Sequence, residues 1–393
     1  MIYEGVCPFC FHKIRISYKL WYLCLGRGNG TCQRGVDPIR QQLTKSMMET
    51  YPAFPPPPKS YERPTDCPAC GGKTGVFACP DCHTPLPAGF GESQSPLYGI
   101  VGTKGAGKTT LMTVLVRQLR DSIGKRFDSS ILLVNDNPDG QGSLDEYHLN
   151  REIPLYEHGR LPVPTSALGT ATRQQAVPVQ FRWQQQAGRK KIKSSMFSVI
   201  DTAGEDLNNF MSTISLPYLP VADGLIVLLD PFALPSARAT LNLPRAAVTV
   251  GEDMPLQVLG NITDMLRTER GVSSKKQIKL SVAVVFTKMD AFFRLLDPAS
   301  PLMTTAPAVP AYTEADGLSV HEHMLAMLHQ WNAQEIDAHM RLNFTSYRYF
   351  GVSALGAEPD YERSQVAPGG IRPHRLEDPV LWLLSQSGKV KTA

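Results

Sequence analysis

Apolar positions in this chain gather into short, dense runs separated by stretches of helical spacing. Runs at 97–101, 131–134, 222–229 and 280–286 are nearly continuous in aliphatic residues, as expected for strands buried on both faces. Further strand runs lie at 176–183, 196–200 and 347–352. Between them, 110–119 and Pro255–Arg270 carry apolar residues at helical spacing, the latter with Leu256, Leu259, Ile262, Met265 and Leu266 on one side. A further helical stretch covers 318–340. Strands alternating with helices predict an α/β fold: three layers, with helices on both faces of a mostly parallel sheet. Prolines and broken periodicity make 145–172 a mixture of helix fragments and loop.

The first 95 residues follow another pattern. All eight cysteines lie there, and Cys67-Pro68-Ala69-Cys70 and Cys79-Pro80-Asp81-Cys82 form two C-x2-C knuckles eight residues apart. Two such turns complete a tetrahedron of thiolates around Zn²⁺. Cys7, Cys10, Cys24 and Cys32 supply a second, less regular set of four, and pairing interleaved between the sets is an alternative. His12 and His83 stand beside knuckles and could replace a thiolate, although a histidine there is more often a solvent-facing neighbour. The region is expected to be zinc-ribbon-like, with 51–58 as a stiff proline spacer, less plausibly a ligand for an aromatic groove. Pro85, Pro87, Gly89 and Gly91 mark the exit to a second domain over 96–393, which carries an insertion around 291–345.

That second domain opens on Gly102-Thr103-Lys104-Gly105-Ala106-Gly107-Lys108-Thr109, followed by Thr110. This is G-x-x-x-x-G-K-[ST] between a strand and a helix, where backbone amides converge on phosphates. Gly102, Gly105 and Gly107 permit that convergence, Lys108 reaches the β and γ phosphates, and Thr109 ligates Mg²⁺. Further on, a strand ends at Asp201, the start of D-x-x-G, whose carboxylate serves Mg²⁺ while the Gly204 amide faces a γ phosphate. Thr165, and with less support Thr172, are candidates for a threonine that senses the γ phosphate.

The strand at 280–286 ends in Thr287-Lys288-Met289-Asp290. An ionised Asp290 accepts hydrogen bonds from guanine N1 and N2 together, a donor pair that adenine lacks. Lys288 would stack on the base. After the last strand, Ser353-Ala354-Leu355 places the Ala354 amide for the guanine O6.

With these four stretches in order, residues 96–393 resemble the translation-factor-related class of P-loop GTPases, the group that includes Ras-like proteins. The resemblance implies GTP and GDP as ligands, phosphate binding at 102–109, a switch from Asp201, and guanine reading by Thr287, Lys288, Asp290, Ser353 and Ala354. Knuckles ahead of such a domain, with Leu376-Glu377-Asp378-Pro379-Val380-Leu381-Trp382-Leu383-Leu384 near its end, are similar to bacterial double-GTPase proteins of conflict or defence systems. One departure stands out: Glu205 occupies the position where the Ras-like class generally has the glutamine that orients the attacking water. Its charge would repel the transition-state oxygens, so slow hydrolysis and help from a partner are expected.

Composition changes the picture in one respect. The formal charge of +4 invites a nucleic-acid partner, and residues 1–95 hold ten Lys+Arg against seven Asp+Glu. Two four-thiolate zinc sites add about four negative charges, leaving the whole chain near neutral and the attraction weak. Protein partners are the better expectation. No apolar leader precedes the first cysteine pair, and runs such as 225–229 fall far short of the ~20 residues that span a bilayer, so a cytoplasmic protein is expected. Of the histidines at 321, 323, 329 and 339, His321 and His323 lie on different faces of their helical stretch, and no cysteine or tight carboxylate set accompanies the four. Two rivals remain open: an ATP-dependent P-loop enzyme, and a zinc adaptor whose nucleotide is never turned over.

Overall fold

The computed structural model describes residues 4–15, 20–57, 64–91, 94–103, 105–134, 148–162, 178–186, 192–201, 207, 216–247 and 254–393. The chain divides into two compact units, one of residues 1–97, 132–146 and 173–199, the other of 98–131, 147–172 and 200–393.

Residues 4–91 of the first unit are built on very short strands. Trp21–Leu23 pairs antiparallel with Ala53–Phe54 on one side and Phe77–Ala78 on the other, and two-residue ladders join Thr65–Asp66 to Lys73–Thr74 and Gly35–Val36 to Glu49–Thr50. Their core consists of the cysteines with Ile14, Leu20, Tyr22, Phe54, Phe77, Leu86 and Phe90. Phe54 corrects the expected proline spacer, because it is buried and stacks on Tyr22 at 5.8 Å. The exit segment is likewise packed, with Pro85 bridged to Ala78. In the same unit Phe181, from Pro178–Gln186, stacks on Phe197, from Ile192–Asp201, at 4.8 Å. Between those strands, Arg189, Lys190 and Lys191 lie outside the described residues, and Lys193 lies in the second strand.

The second unit contains β1 (Leu97–Gly102), β2 (Gly224–Leu229), β3 (Ile278–Phe286) and β4 (Phe344–Gly351), neighbours in that order and parallel throughout. Every residue of β2 is buried, as its unbroken apolar run requires. Helix α1 (Lys108–Gln118) continues through a π-helical turn, Leu119–Ile123, that the sequence pattern did not reveal. Helix α2 (Pro255–Arg270) starts on proline at its first turn and stops at Gly271, whose φ of +62° provides the left-handed cap. It buries Val258, Leu259, Ile262, Met265 and Leu266, whereas Leu256 is 36% exposed and does not share that face.

The expected single helix over 318–340 is two: α3 (Glu314–Gln330) and α4 (Gln334–Asn343). They break at Asn332, held at φ +53°, a conformation asparagine tolerates better than most residues. Both helices bury residues, among them Met324, Leu328, Ile336 and Met340. Helix α5 (Asp378–Gln386) buries Val380, Leu381, Trp382, Leu383 and Leu384, and Leu383 O accepts a hydrogen bond from the Tyr98 hydroxyl at 3.2 Å. No described helix is long and apolar enough to cross a membrane.

Candidate functional site

Parallel register brings two motifs to one edge of the sheet. Gly102 lies opposite Leu228, and Leu229 opposite Phe286, so the loop after β1 and the segment after β3 leave the sheet within one residue of the same level. Two inter-strand spacings separate them, about 10 Å. Backbone bonds hold the exits: Thr103 N–H donates to Leu228 O (3.1 Å), Thr287 N–H to Leu229 O (3.1 Å) and Val352 N–H to Phe286 O (2.9 Å).

At the first exit the chain has no room for a side chain at Gly102, where a Cβ would lie 2.4 Å from Leu228 O. Gly105 and Gly107 take φ values of +77° and +75°, so the turn closes with left-handed glycines just before α1. Buried Ala106 donates its N–H to Thr103 O at 3.2 Å. Lys108 is nearly buried, and its Nζ donates to Gly102 O (3.0 Å) and Thr103 O (3.3 Å), the ammonium folded over its own loop. The Thr109 hydroxyl makes no hydrogen bond to a described residue, while its carbonyl takes one from Thr113. Thr110 is half-buried in the first turn of α1.

At the second exit Lys288 is left-handed (φ +56°), a costly conformation for a side chain with a Cβ. Its Nζ donates to Asp230 Oδ2 at 2.6 Å and lies 4.8 Å from the centre of the Phe232 ring. Thr287 is buried, with its hydroxyl 3.4 Å from Leu229 O. Asp290 Oδ1 accepts the Ser353 hydroxyl at 2.6 Å, and Ser353 Oγ in turn accepts the Gly356 N–H at 2.7 Å. Burial raises the Asp290 carboxyl above its ordinary range, with the Ser353 hydrogen bond and Lys288 opposing. Gly356 has φ +79° and lies against Arg372 O, and the Leu355 carbonyl accepts the Arg372 N–H at 2.8 Å, so Ala354 is carried between two anchored neighbours. Glu358 and Tyr361 also feel the Asp290 charge; burial, then Asp290, raises both.

Of the remaining expected residues, Lys104, Thr165, Thr172, Gly204 and Glu205 lie outside the described residues, and Asp201 is placed only as the last residue of its strand. Sequence reasoning overlooked the part played by Asp230. An Asp-Pro step directly after a fully buried strand was the available signal.

The cysteines form two clusters, and the pairing is interleaved: Cys7, Cys10, Cys79 and Cys82 in one, Cys24, Cys32, Cys67 and Cys70 in the other. This corrects the grouping of the 67–82 knuckles around one ion. Trp21 pairs with Ala78 and Tyr22 with Phe77, antiparallel, so Cys24 and Cys79 leave opposite ends of the same ladder. They cannot share a metal without breaking it. Three knuckles are built alike: Phe11 N–H donates to Cys7 O, Gly71 N–H to Cys67 O and His83 N–H to Cys79 O, each donor left-handed.

Sulfur separations are 3.8 Å for Cys7–Cys82, 3.8 Å for Cys10–Cys79, 3.6 Å for Cys24–Cys70 and 3.9 Å for Cys32–Cys67. A tetrahedron with ~2.3 Å metal–sulfur bonds has edges of about 3.8 Å, so both clusters fit one four-coordinate ion. Without an ion, burial pushes the Cys24 thiol up to about 12; a bound cation reverses that preference and expels protons. His83 pairs instead with Asp37 (2.8 Å) and stacks on Trp21, and exposed His12 lies 3.7 Å from Asp81. Neither joins a cluster. His321, His323 and His339 bond to Tyr349 N–H, Ser300 and Thr263, and no further metal-ligand cluster occurs among the described residues.

Fold and site together define a mixed α/β protein with a glycine-rich strand–turn–helix and a cysteine-rich unit that can hold metal. No family model matches the chain. It is 28% identical over 410 residues, spanning 97% of this chain and 99% of the relative, to "Putative ESX-1 scaffolding and assembly protein SaeC" of Mycolicibacterium smegmatis (strain ATCC 700084 / mc(2)155). Among solved structures it is similar to the signal recognition particle receptor SRb-GTP/SRX complex of Chaetomium thermophilum, with a TM-score of 0.30 and 20% identity over 69% of this chain and 96% of that one. Similarity also extends to the S. cerevisiae Ski7 GTPase-like domain bound to GTP, with a TM-score of 0.32 and 12% identity over 75% of this chain and 50% of that one. Likeness at this level leaves the site's own geometry to carry its reading.

Proposed function

We propose that this chain is a guanine-nucleotide switch with two structural zinc ions. The observation that carries the reading is that the glycine turn bearing Lys108 and the segment bearing the Asp290 carboxylate follow two parallel strands, β1 and β3, that flank β2 and end at the same level, a spacing that suits the two ends of one nucleotide. Lys108 and the loop amides bind phosphate, Thr109 and Asp201 hold Mg²⁺, and Asp290 accepts from guanine with Lys288 beneath the base. Gly204 and Thr165 sense the γ phosphate, and with Glu205 in the water-orienting position GTP hydrolysis is slow. The nucleotide domain is 96–393, the zinc region 1–95, and both clusters suit a reducing compartment such as the cytoplasm.

The nucleotide state selects a protein partner. The relative's name as a scaffolding and assembly protein supports that view, as does the near-neutral charge of the zinc-loaded chain. Equilibrium binding of labelled GTP against ATP, with identification of the nucleotide and metal that co-purify, tests the proposal. Tighter binding of ATP refutes it. Single-turnover hydrolysis by Glu205→Gln should be faster than by the parent; an equal or slower rate removes the role given to Glu205.

A further inference from the structure

Asp230 contacts both halves of the nucleotide site. Its N–H donates to the Thr103 hydroxyl in the phosphate loop at 3.3 Å, its Oδ1 accepts Phe232 N–H at 2.9 Å, and its Oδ2 takes the Lys288 ammonium at 2.6 Å. The carboxylate is almost wholly buried, and Lys288 lies along the Phe232 ring. Lys288 is also the cation whose charge acts on Asp290. Two acids therefore compete for one ammonium, and only one of them has a base to read.

Resting on the guanine-nucleotide reading, we propose that Asp230 is a positioning residue that sets base specificity: by holding the Lys288 ammonium away from Asp290, it leaves that carboxylate as an acceptor for the guanine N1 and N2 hydrogens. Asp290 already spends one oxygen on the Ser353 hydroxyl. An ammonium on the other oxygen would displace the guanine amine. Lys288 then contributes its alkyl chain to the base and its charge to Asp230.

The test compares GTP with inosine triphosphate, which lacks only the N2 amine, and with tripolyphosphate, which lacks the base. Asp230→Asn keeps an acceptor for Phe232 but presents an amide to Lys288. The parent protein should prefer GTP to inosine triphosphate by about tenfold or more, the worth of a hydrogen bond to a charged acceptor. In Asp230→Asn that ratio should fall towards one, with tripolyphosphate affinity unchanged. Asp230→Asn with Lys288→Met leaves no unpaired buried charge, and its ratio should return to within about threefold of the parent's, because no ammonium remains to compete.

An undiminished ratio in Asp230→Asn overturns the role of Asp230 alone. So does equal loss of GTP and tripolyphosphate, which marks a merely structural residue, or a collapsed ratio in the double variant. A parent protein with no preference among GTP, inosine triphosphate and ATP overturns the guanine reading itself, and this proposal with it.

Discussion

The two units solve the problem of a core differently. Within residues 4–91 of the first, strands of two or three residues bury little, and seven of the eight cysteines are buried, with Cys10 partly so. In the second, β2 and β3 run six and nine residues, and aliphatic side chains fill the space between them and the helices. Strands of two or three residues bury too little apolar area to close a core alone, so residues 4–91 are expected to depend on ions that their thiolate clusters can hold, whereas the second unit rests on aliphatic packing.

Stripping metal should therefore produce the largest effect and confine it to one unit. Structural zinc sites in small peptides contribute about 10–16 kcal/mol at neutral pH, enough to unfold a unit with this little apolar surface. Chelation should open residues 4–91 to protease while α2 and α5 stay protected, as peptide mapping would show. The interleaved pairing makes a sharper claim, read by metal stoichiometry. Cys24→Ser with Cys67→Ser should leave one ion bound, whereas Cys67→Ser with Cys79→Ser should leave none. Pairing in sequence order predicts the reverse.

The complementary break is in α2. Leu259 is 1% exposed, and Leu259→Ala should cost about 2–5 kcal/mol in denaturant titration without changing metal content. Leu256→Ala, three residues earlier on an exposed face, should stay within about 0.5 kcal/mol. Equal costs would mean that the helix buries a different face from the one described.

The same contrast governs what could be read from the sequence. The phosphate loop, Pro255–Arg270 and the strand ending before Thr287 are written in consecutive residues: glycines, a proline at a helix start, an apolar run of fixed length. Local chemistry sufficed there. The cysteine pairing was not local, since Cys24 and Cys79 are assigned to different ions by a strand ladder whose partners lie 55 residues apart. Phe54 looked like part of a proline spacer because its pairing with Tyr22 is also distant. Asn332 disguised a helix break inside an otherwise continuous period, and Leu256 fell on the wrong face because the spacing from Leu256 to Leu259 suits either side of the stripe. Ser353 emerged as the group that orients Asp290 only when β3 and β4 were seen side by side.

Within the second unit, the proposed guanine contact predicts that Asp290→Asn should weaken GTP binding by about 2–3 kcal/mol, the worth of one or two hydrogen bonds to a charged acceptor. It should also redirect selection. Xanthine carries an oxygen where guanine has its N2 amine, and the asparagine amide can donate to it, so xanthosine triphosphate should become the better ligand. Competition binding would show this, and an unchanged guanine preference would place base reading elsewhere. Metal content should not respond, which separates this lesion from those in the first unit.

The smallest effect expected is a pH dependence, and its sign follows from burial. Because burial raises the Asp290 carboxyl above its ordinary value, the folded protein without nucleotide holds that proton to higher pH than the unfolded chain does, and the cost of ionising the group is felt as pH rises through the raised value. Guanine requires the ionised form. Affinity for GTP should therefore be full above the raised value and fall below it, at most about tenfold per pH unit, with a proton released on binding. The Ser353 hydroxyl is a contact that restrains the shift, so Ser353→Ala should move the midpoint to higher pH and leave the affinity well above it less affected than the affinity below it. Calorimetry in buffers of different ionisation enthalpy counts the released proton directly. A midpoint that stays put in Ser353→Ala would mean that the carboxylate reading the base is not the one this hydroxyl holds.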